Sequence, residues 1–435
     1  MSRLLRFELH KSTPHVDRAL TCLVRNALRH VHGYRTILDE AHQADASVRG
    51  VEDLGRLPIV LKETLFRRFD LRDTLRRGTD PKRCVRTGTS GSTGLPLTVF
   101  MSRSEAHFRR ALLLGAWRRA APLRFPLTVA DLGSLEWKDD AATVRRRGPV
   151  KIVRISIMLP VQEQIKCLME HRPQILTGYP TSLQILSEAL SATSNRTSFL
   201  HLVATRGEIL HEETRRILHS ALGSRVADFY NCEEIGNIAW ECPADPSMLH
   251  VNTDGCVVEV VGEDGQRVPV GCEGRVIVTN LYNWTMPFIR YDLHDRGVIH
   301  HPGGERCECG SRSPRLLVLQ GRDDDYLYLP DGRKVSPRLV ATTVNRAIFG
   351  HPSLGEGDRL VRRFQVVQDA SDHLTVRIIP ESSQQIDFHS LISPALLRLH
   401  PDLRCTIDIV EDLPLDPSGK FRKVACELRE LGAKP

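Results

Sequence analysis

Between Arg86 and Pro96 the chain reads Arg-Thr-Gly-Thr-Ser-Gly-Ser-Thr-Gly-Leu-Pro, then continues straight into the apolar Leu97-Thr98-Val99-Phe100-Met101. Three glycines and five hydroxyl residues in a row supply freely orientable backbone N–H groups and O–H donors, a combination suited to cradling a polyphosphate. It is not a Walker loop, because no Gly-Lys-Ser/Thr ending is present and Leu95 follows the last glycine. A flexible Ser/Gly/Thr linker is the alternative. Linkers rarely run directly into a strand-like apolar segment, so the tract is expected to be a loop held between ordered elements.

A chain of 435 residues exceeds one compact core and suits two or three structural units. Residues 1 to about 80 read as helical, with Leu20, Leu23, Val24 and Leu28 at helical spacing. From about 150 to 320, helices alternate with short apolar strands. Val153, Ile155 and Ile157 alternate as a half-buried strand does, and Leu183, Leu186 and Leu190 mark a helix face. A second helix is expected after Gly207 and a strand over Val226–Tyr230. From Cys256 to Leu281 the pattern is β, with a Glu-Asp-Gly turn between two strands. After Asp323-Asp324-Asp325 come a hairpin-like Tyr-Leu-Tyr-Leu-Pro-Asp-Gly-Arg-Lys-Val and three further strands, Phe-Gln-Val-Val-Gln, His-Leu-Thr-Val-Arg-Ile-Ile and Cys-Thr-Ile-Asp-Ile-Val-Glu. The fold class predicted is α/β: a large N-terminal α/β body of several subdomains with a β-rich portion, over 1–321. A hinge at 322–325 leads to a small mobile C-terminal α+β domain over 326–435.

Composition mainly excludes. The net charge of +7 arises from 50 Arg and 10 Lys against 53 acidic residues, and its clusters (Arg67-Arg68, Arg145 to Arg147, Arg362-Arg363) are short and scattered. With aromatics at only 6%, neither a nucleic-acid groove nor a base-stacking platform is expected. The start, Met-Ser-Arg-Leu-Leu-Arg-Phe-Glu-Leu-His-Lys-Ser, lacks the apolar core of a signal peptide, and no run approaches 18 apolar residues. Eleven cysteines without dense spacing fit a reducing compartment. A cytoplasmic protein without a membrane or nucleic-acid partner is therefore expected; the sequence sets no oligomeric state.

The tract at 88–96 resembles the phosphate-loop signature of the adenylate-forming superfamily, which includes acyl- and aryl-CoA ligases, peptide-synthetase adenylation domains and luciferases. Four further segments follow in that family's order. Thr205 to Leu210 is similar to the segment lining the adenine pocket, and Phe229-Tyr230-Asn231-Cys232-Glu233-Glu234 to the aromatic-Gly-x-Thr-Glu motif. Arg290 to Asp295 is similar to Arg-Tyr-x-x-Gly-Asp. Gly321 to Asp325 and Pro414 to Arg422 resemble the hinge and the C-terminal lysine loop. Five ordered motifs span most of the chain. A segment like Asp53-Leu54-Gly55-Arg56-Leu57-Pro58-Ile59 and a late Cys-x-Cys-Gly resemble the phenylacetate–CoA ligase branch.

That resemblance implies ATP-dependent activation of a small, aromatic or arylacetic carboxylic acid, and transfer of the acyl group to coenzyme A. A carrier-protein thiol or an amine is the alternative acceptor, and a non-catalytic nucleotide-binding protein the alternative class. Because a carboxylate is already ionised, adenylation needs two anions held together rather than a general base. The resemblance assigns Thr89, Ser90, Gly91, Ser92, Thr93 and Gly94 to the β- and γ-phosphates and Glu234 to Mg²⁺. Gly207, Glu208, Phe229, Tyr230 and Asn231 fall to the nucleotide, with Tyr230 stacked on adenine. Asp295, assisted by Arg322, falls to the ribose, and Lys420 to the α-phosphate and carboxylate oxygens. Asp324 matches the hinge. Tyr179, Arg206 and Glu233, with input from Ser134 to Trp137, are the expected lining of the acid pocket.

Three departures stand out. Glu233 occupies the place of a Thr or Ser, Asn231 that of a glycine, and His294 that of another glycine. Asn tolerates positive φ, so Asn231 is expected to be a mild change. Separately, Cys307 and Cys309, with Cys242 and His250 some 60 residues upstream, would make a closed tetrahedral Zn²⁺ site of structural type. Some phenylacetate–CoA ligase-like proteins carry such a site at matching positions; buried free cysteines are the alternative.

Overall fold

The computed structural model describes residues 13–41, 48–66, 68–88, 98–133, 143–157, 159–193, 195–301, 305–322, 327–332, 334–335, 340–341, 343–344, 347–348, 360–381, 386–413 and 421–428. These form two compact units. The larger holds the residues up to Leu293 and Gly297–Val318; the smaller begins at Leu319 and also includes His294–Arg296.

The larger unit opens with helices. Thr13 caps α1 (Pro14–His30) by accepting from the Val16 amide, Pro14 sits in the first turn, and Leu20, Leu23, Val24 and Ala27 are buried along one face. After α2 (His32–Glu40) come a 3₁₀ turn over Val51–Arg56 and the short α3 (Lys62–Phe66) and α4 (Leu71–Thr74). The segment after the 3₁₀ turn docks deep in the unit. Val60 donates to the Arg290 carbonyl at 2.9 Å and accepts from the Asp292 amide at 3.0 Å. Arg290, 2% exposed and at φ 45°, donates to the carbonyls of Leu57 and Gly265 and to Glu259. Glu259 also pairs with Arg267, so a buried carboxylate is shared by two guanidiniums.

β1 (Val85–Gly88) and β2 (Thr98–Met101) pair antiparallel with Gly88 opposite Thr98. The Ser/Gly/Thr tract therefore departs from and returns to one hairpin, with residues 89–97 outside the described ones. Ser102 and Glu105 close a capping box at the start of α5 (Arg103–Ala120).

The centre is a twelve-stranded mixed sheet. Its strands are β3 (Leu127–Gly133), β4 (Thr143–Arg147), β5 (Val150–Ser156), β6 (Ile175–Gly178), β7 (Leu202–Arg206), β8 (Arg225–Cys232), β9 (Gly236–Glu241), β10 (Leu249–Val251), β11 (Cys256–Val261), β12 (Glu273–Asn280), β13 (Tyr291–His301) and β14 (Arg315–Arg322). Their order is β11-β12-β13-β14-β10-β9-β8-β7-β6-β3-β5-β4. β5, β3, β6, β7 and β8 run parallel, which leaves their carboxyl ends together at one edge of the sheet. Alternation then sorts the side chains. Leu132, Val153, Ile155, Leu176 and Val203 face α6 (Val161–His171), α7 (Pro180–Ser191) and α8 (Glu212–Leu222), which bring Leu168, Leu183, Leu186, Leu190 and Leu218. Val129, Ile175, Ala204, Ala227 and Phe229 pack instead against Ala116 and Ala120 of α5. Among the described residues no helix is long and apolar enough to cross a membrane.

The smaller unit has its own core. β15 (Leu327–Tyr328) pairs with β16 (Lys334–Val335), and a four-stranded sheet follows in the order β19-β18-β17-β20. Its strands are β17 (Val361–Ala370), β18 (His373–Pro380), β19 (Arg404–Ile409) and β20 (Val424–Cys426), with α9 (Phe388–Leu397) burying Phe388, Ile392 and Leu396. The α/β class expected from the sequence is the one observed: a large sheet-rich body and a smaller C-terminal domain.

Candidate active site

At the carboxyl end of β8 the chain turns through Glu233, Glu234 and Ile235 into β9. Gly236 makes the turn possible: it sits at φ 90°, and a Cβ there would stand 2.8 Å from the Tyr282 hydroxyl. Tyr282 instead donates to the Ile235 carbonyl at 2.6 Å. Arg109 of α5 grips the same turn, donating to the Glu233 carbonyl at 2.6 Å, the Cys232 carbonyl at 3.4 Å and the Glu233 carboxylate at 3.1 Å. The Thr87 hydroxyl, one residue before Gly88, also donates to that carboxylate. Glu233 is thus the post that ties the root of the Ser/Gly/Thr tract to the β8–β9 turn. Both side-chain bonds fall on the same carboxylate oxygen, Oε2.

Glu234, 8% exposed, accepts from the Tyr291 hydroxyl at 3.2 Å. Tyr291 lies edge-on to Phe288 with ring centroids 5.1 Å apart, and burial, followed by the Glu234 charge, pushes its phenol well above the usual range. Among the described residues this is the hydrogen bond that the Glu234 carboxylate receives, so the group retains acceptor capacity. A hard anionic oxygen donor at this place fits Mg²⁺.

The other expected nucleotide residues separate. Tyr230 is half-buried, packed against the core beneath the N-terminal helices. The Phe229 side chain, 2% exposed, lies in the core among Ala204, Ala227 and Trp240. Gly207 is at φ 74°, where glycine is favoured. Glu208 accepts from the Thr181 amide at 3.1 Å and so caps the start of α7. Asn231 does not adopt positive φ; the chain absorbs it in a bulge between Tyr230 and Asn231, and its amide oxygen accepts from Asn237 at 2.8 Å. The left-handed position is that of His294, at φ 59°. Asp295 lies half-buried in β13, and Arg322 ends β14. Thr89, Ser90, Gly91, Ser92, Thr93, Gly94, Asp324, Lys420 and Ser134 to Trp137 lie outside the described residues.

Beyond the β8–β9 turn, at the carboxyl ends of the parallel strands, Arg206 Nη2 meets Asp131 Oδ1 at 2.5 Å, and its guanidinium lies over the Tyr179 ring, 5.3 Å from the centroid. Asp228, on β8, accepts from the Thr205 hydroxyl at 2.7 Å. Burial pushes its carboxyl up to about 6, aided by the nearby Glu241. Neither Asp131 nor Arg109 was expected from the sequence, since no local pattern marks a residue that acts across 75 or 124 positions.

A second constellation lies elsewhere in the larger unit. The ligating atoms of Cys242, His250, Cys307 and Cys309 all fall within 4.8 Å of one another. The Cys242 and Cys307 sulfurs are 3.6 Å apart, far beyond a disulfide bond, and Cys309 Sγ is 3.1 Å from His250 Nε2. His250 Nδ1 donates to the Ser313 carbonyl at 3.3 Å, which leaves the Nε2 lone pair for a metal. Three thiols and an imidazole so placed suit a tetrahedral ion.

Residues 327–427 match the CapK C-terminal domain. The chain is 26% identical to a phenylacetate-coenzyme A ligase of Thermus thermophilus over 347 residues, covering 74% of this chain and 73% of the relative. It is 23% identical over 410 residues to a phenylacetate-coenzyme A ligase of Aromatoleum evansii, covering 89% and 86%. Among solved structures, 2-hydroxyisobutyryl-CoA ligase in its postadenylation state with R3-HIB-AMP superposes with a TM-score of 0.75 at 18% identity, covering 98% of this chain and 93% of that one. The chain is thus similar in sequence to phenylacetate-coenzyme A ligases over about three quarters of its length, and shares its fold with 2-hydroxyisobutyryl-CoA ligase.

Proposed function

We propose that this protein is an AMP-forming acid–thiol ligase, converting a small carboxylic acid and ATP to acyl-AMP and pyrophosphate, then acyl-AMP and coenzyme A to acyl-CoA and AMP. The observation that carries the reading is the knot at the β8–β9 turn. Two adjacent carboxylates, Glu233 and Glu234, receive hydrogen bonds from Thr87 and Tyr291, so two of the five motif segments meet the residue that roots a third. The names of the relatives favour an aromatic or arylacetic acid.

In the first step a carboxylate oxygen attacks the α-phosphorus and pyrophosphate leaves, so both anions must be held in line while charge builds. The backbone and hydroxyls of Thr89, Ser90, Gly91, Ser92, Thr93 and Gly94 hold the β- and γ-phosphates. Gly207, Tyr230 and Asn231 border the base, with Tyr230 against its face, and Asp295 with Arg322 takes the ribose hydroxyls. Lys420 contacts the α-phosphate and carboxylate oxygens. Glu234 would hold Mg²⁺, which would neutralise charge on the polyphosphate. In the second step the thiol sulfur attacks the acyl carbon, the acyl–oxygen bond to AMP breaks, and the thiol proton is lost to solvent. Asp324 is the pivot about which the small domain, beginning near 326, exchanges Lys420 for the thiol route.

Cys242, His250, Cys307 and Cys309 would hold a structural Zn²⁺, which would pin the Cys307–Gly310 loop rather than take part in the chemistry. Pyrophosphate release across an acid panel, with and without coenzyme A, tests the reading. Release that requires an acid and turns over faster with coenzyme A supports it. Release indifferent to coenzyme A favours a carrier-protein thiol or an amine as acceptor.

A further inference from the structure

Asp131, two residues from the end of β3, stands between two arginines. On one side β6 separates it from β7, whose last residue, Arg206, spans that strand to reach Asp131 at 2.5 Å. On the other side Arg154 of β5 is its direct register partner, so both side chains share a face of the sheet. All three are half-buried, and the Tyr179 ring lies under Arg206. Asp131 thus pairs with Arg206 and faces Arg154, while the Glu233 charge also acts on Arg206, at the mouth of the parallel strands, where ligands of open α/β sheets bind. Burial, with Arg206, Arg145 and Arg147 opposing the pull of Asp131, lowers the Arg154 guanidinium below its ordinary range. Arg206 is a fork with five N–H donors, shared between Asp131 and the Tyr179 hydroxyl.

A hydrocarbon group pressed against such a wall strips water from charged atoms and returns nothing. An oxygen acceptor in the same place gains charge-assisted hydrogen bonds. We propose that the acid pocket selects carboxylic acids whose acyl part carries an oxygen substituent, a hydroxyl or a second carboxylate, recognised by Arg206 and oriented by Asp131. The proposal rests on the ligase reading and narrows its substrate. Arg206 is the specificity-determining residue, and Asp131 a positioning residue that acts through it.

The test compares kcat/KM for pyrophosphate release over matched acids: phenylacetate with its ring-hydroxylated and ring-carboxylated counterparts, and butyrate with hydroxybutyrate and succinate. The native chain should favour an oxygen-bearing member by about 10- to 100-fold, expressed in the KM for the acid. Arg206→Leu should erase that preference, with the loss in kcat/KM falling most heavily on the oxygen-bearing acids, and Asp131→Asn should weaken it with a smaller change. The hydroxyl and carboxylate arms tell which oxygen group is taken. Should Arg206→Leu fail to fold, Arg206→Lys serves, keeping the charge but losing the fork and lowering the preference. A native preference for unsubstituted acids, or an equal loss on every acid in Arg206→Leu, overturns the proposal and leaves the ligase reading intact. Absence of release with every acid contradicts the ligase reading itself, so the two failures are distinct.

Discussion

The Tyr291 phenol donates to Glu234 Oε1 at 3.2 Å, joining the strand that begins the Arg-Tyr-Asp segment to the turn at the end of β8. Both groups are buried, so the bond fixes the rotamer of the carboxylate assigned to Mg²⁺. Arg290, the preceding residue, locks the same strand to Leu57 and Gly265. The N-terminal segment, through Leu57 and Val60, thereby helps hold the strand that carries Tyr291.

Tyr291→Phe removes the donor and leaves a buried carboxylate oxygen unmatched, at a cost of about 1–3 kcal/mol. A melting temperature lower by a few degrees is expected. The apparent affinity for Mg²⁺, read from the metal dependence of pyrophosphate release, should weaken by about tenfold, as when a ligand's supporting hydrogen bond is lost. An unchanged metal dependence would separate Tyr291 from the function of Glu234.

Arg109→Ala deletes three hydrogen bonds to the β8–β9 turn and leaves Glu233 to Thr87 alone. A loss of about 2–3 kcal/mol in stability and a KM for ATP raised by about tenfold are expected. Glu233→Gln keeps an acceptor toward both partners and should do less on each count. Steady-state kinetics with denaturant melts measure both.

Much of the fold was legible because alternation and turn chemistry are local. The β11–β12 pair, β17 to β19, the β15–β16 hairpin and the α7 face all follow from short-range pattern. The order of twelve strands does not, because pairing is decided by long-range packing. The site divides the same way. The motifs gave the segments, whereas the ties between them (Thr87 with Glu233, Arg206 with Asp131) join residues 146 and 75 positions apart. No local pattern shows that the Phe229 side chain packs in the core or that Glu208 accepts from the Thr181 amide.

Asp228 has a carboxyl raised to about 6, so the folded chain binds its proton more tightly than the unfolded chain does. Between the ordinary carboxylate range and pH 6 this group therefore lowers stability as pH rises, and the penalty is complete above pH 6. Asp228→Asn, whose amide oxygen still accepts from Thr205, should be the more stable protein at pH 7.5. The gap should close as pH falls from 6 to 4, as followed by thermal melts across pH. A gap that widens on acidification would contradict the assignment.

His294 sits at φ 59°, where a side chain with Cβ is strained. His294→Ala and His294→Gly both delete the imidazole, yet only alanine keeps the strain. The glycine variant should be more stable than the alanine variant by about 1 kcal/mol. Equal stability of the two would show that the neighbouring strand relaxes instead.

The Cys242, His250, Cys307 and Cys309 cluster should carry about one Zn²⁺ per chain by elemental analysis. Cys307→Ser, or chelation, should release it and lower the melting temperature, while pyrophosphate release at low temperature stays within a few-fold of native. Metal-free protein of native stability would favour buried free thiols.

Acid-dependent pyrophosphate release from ATP, measured for the native chain beside Lys420→Ala and Glu234→Gln, bears on the ligase chemistry itself. Release that needs the acid, rises with coenzyme A and falls at least a hundredfold in both variants is the expected result. Tight nucleotide binding without release on any acid, or release untouched by both substitutions, would contradict adenylation as this protein's activity.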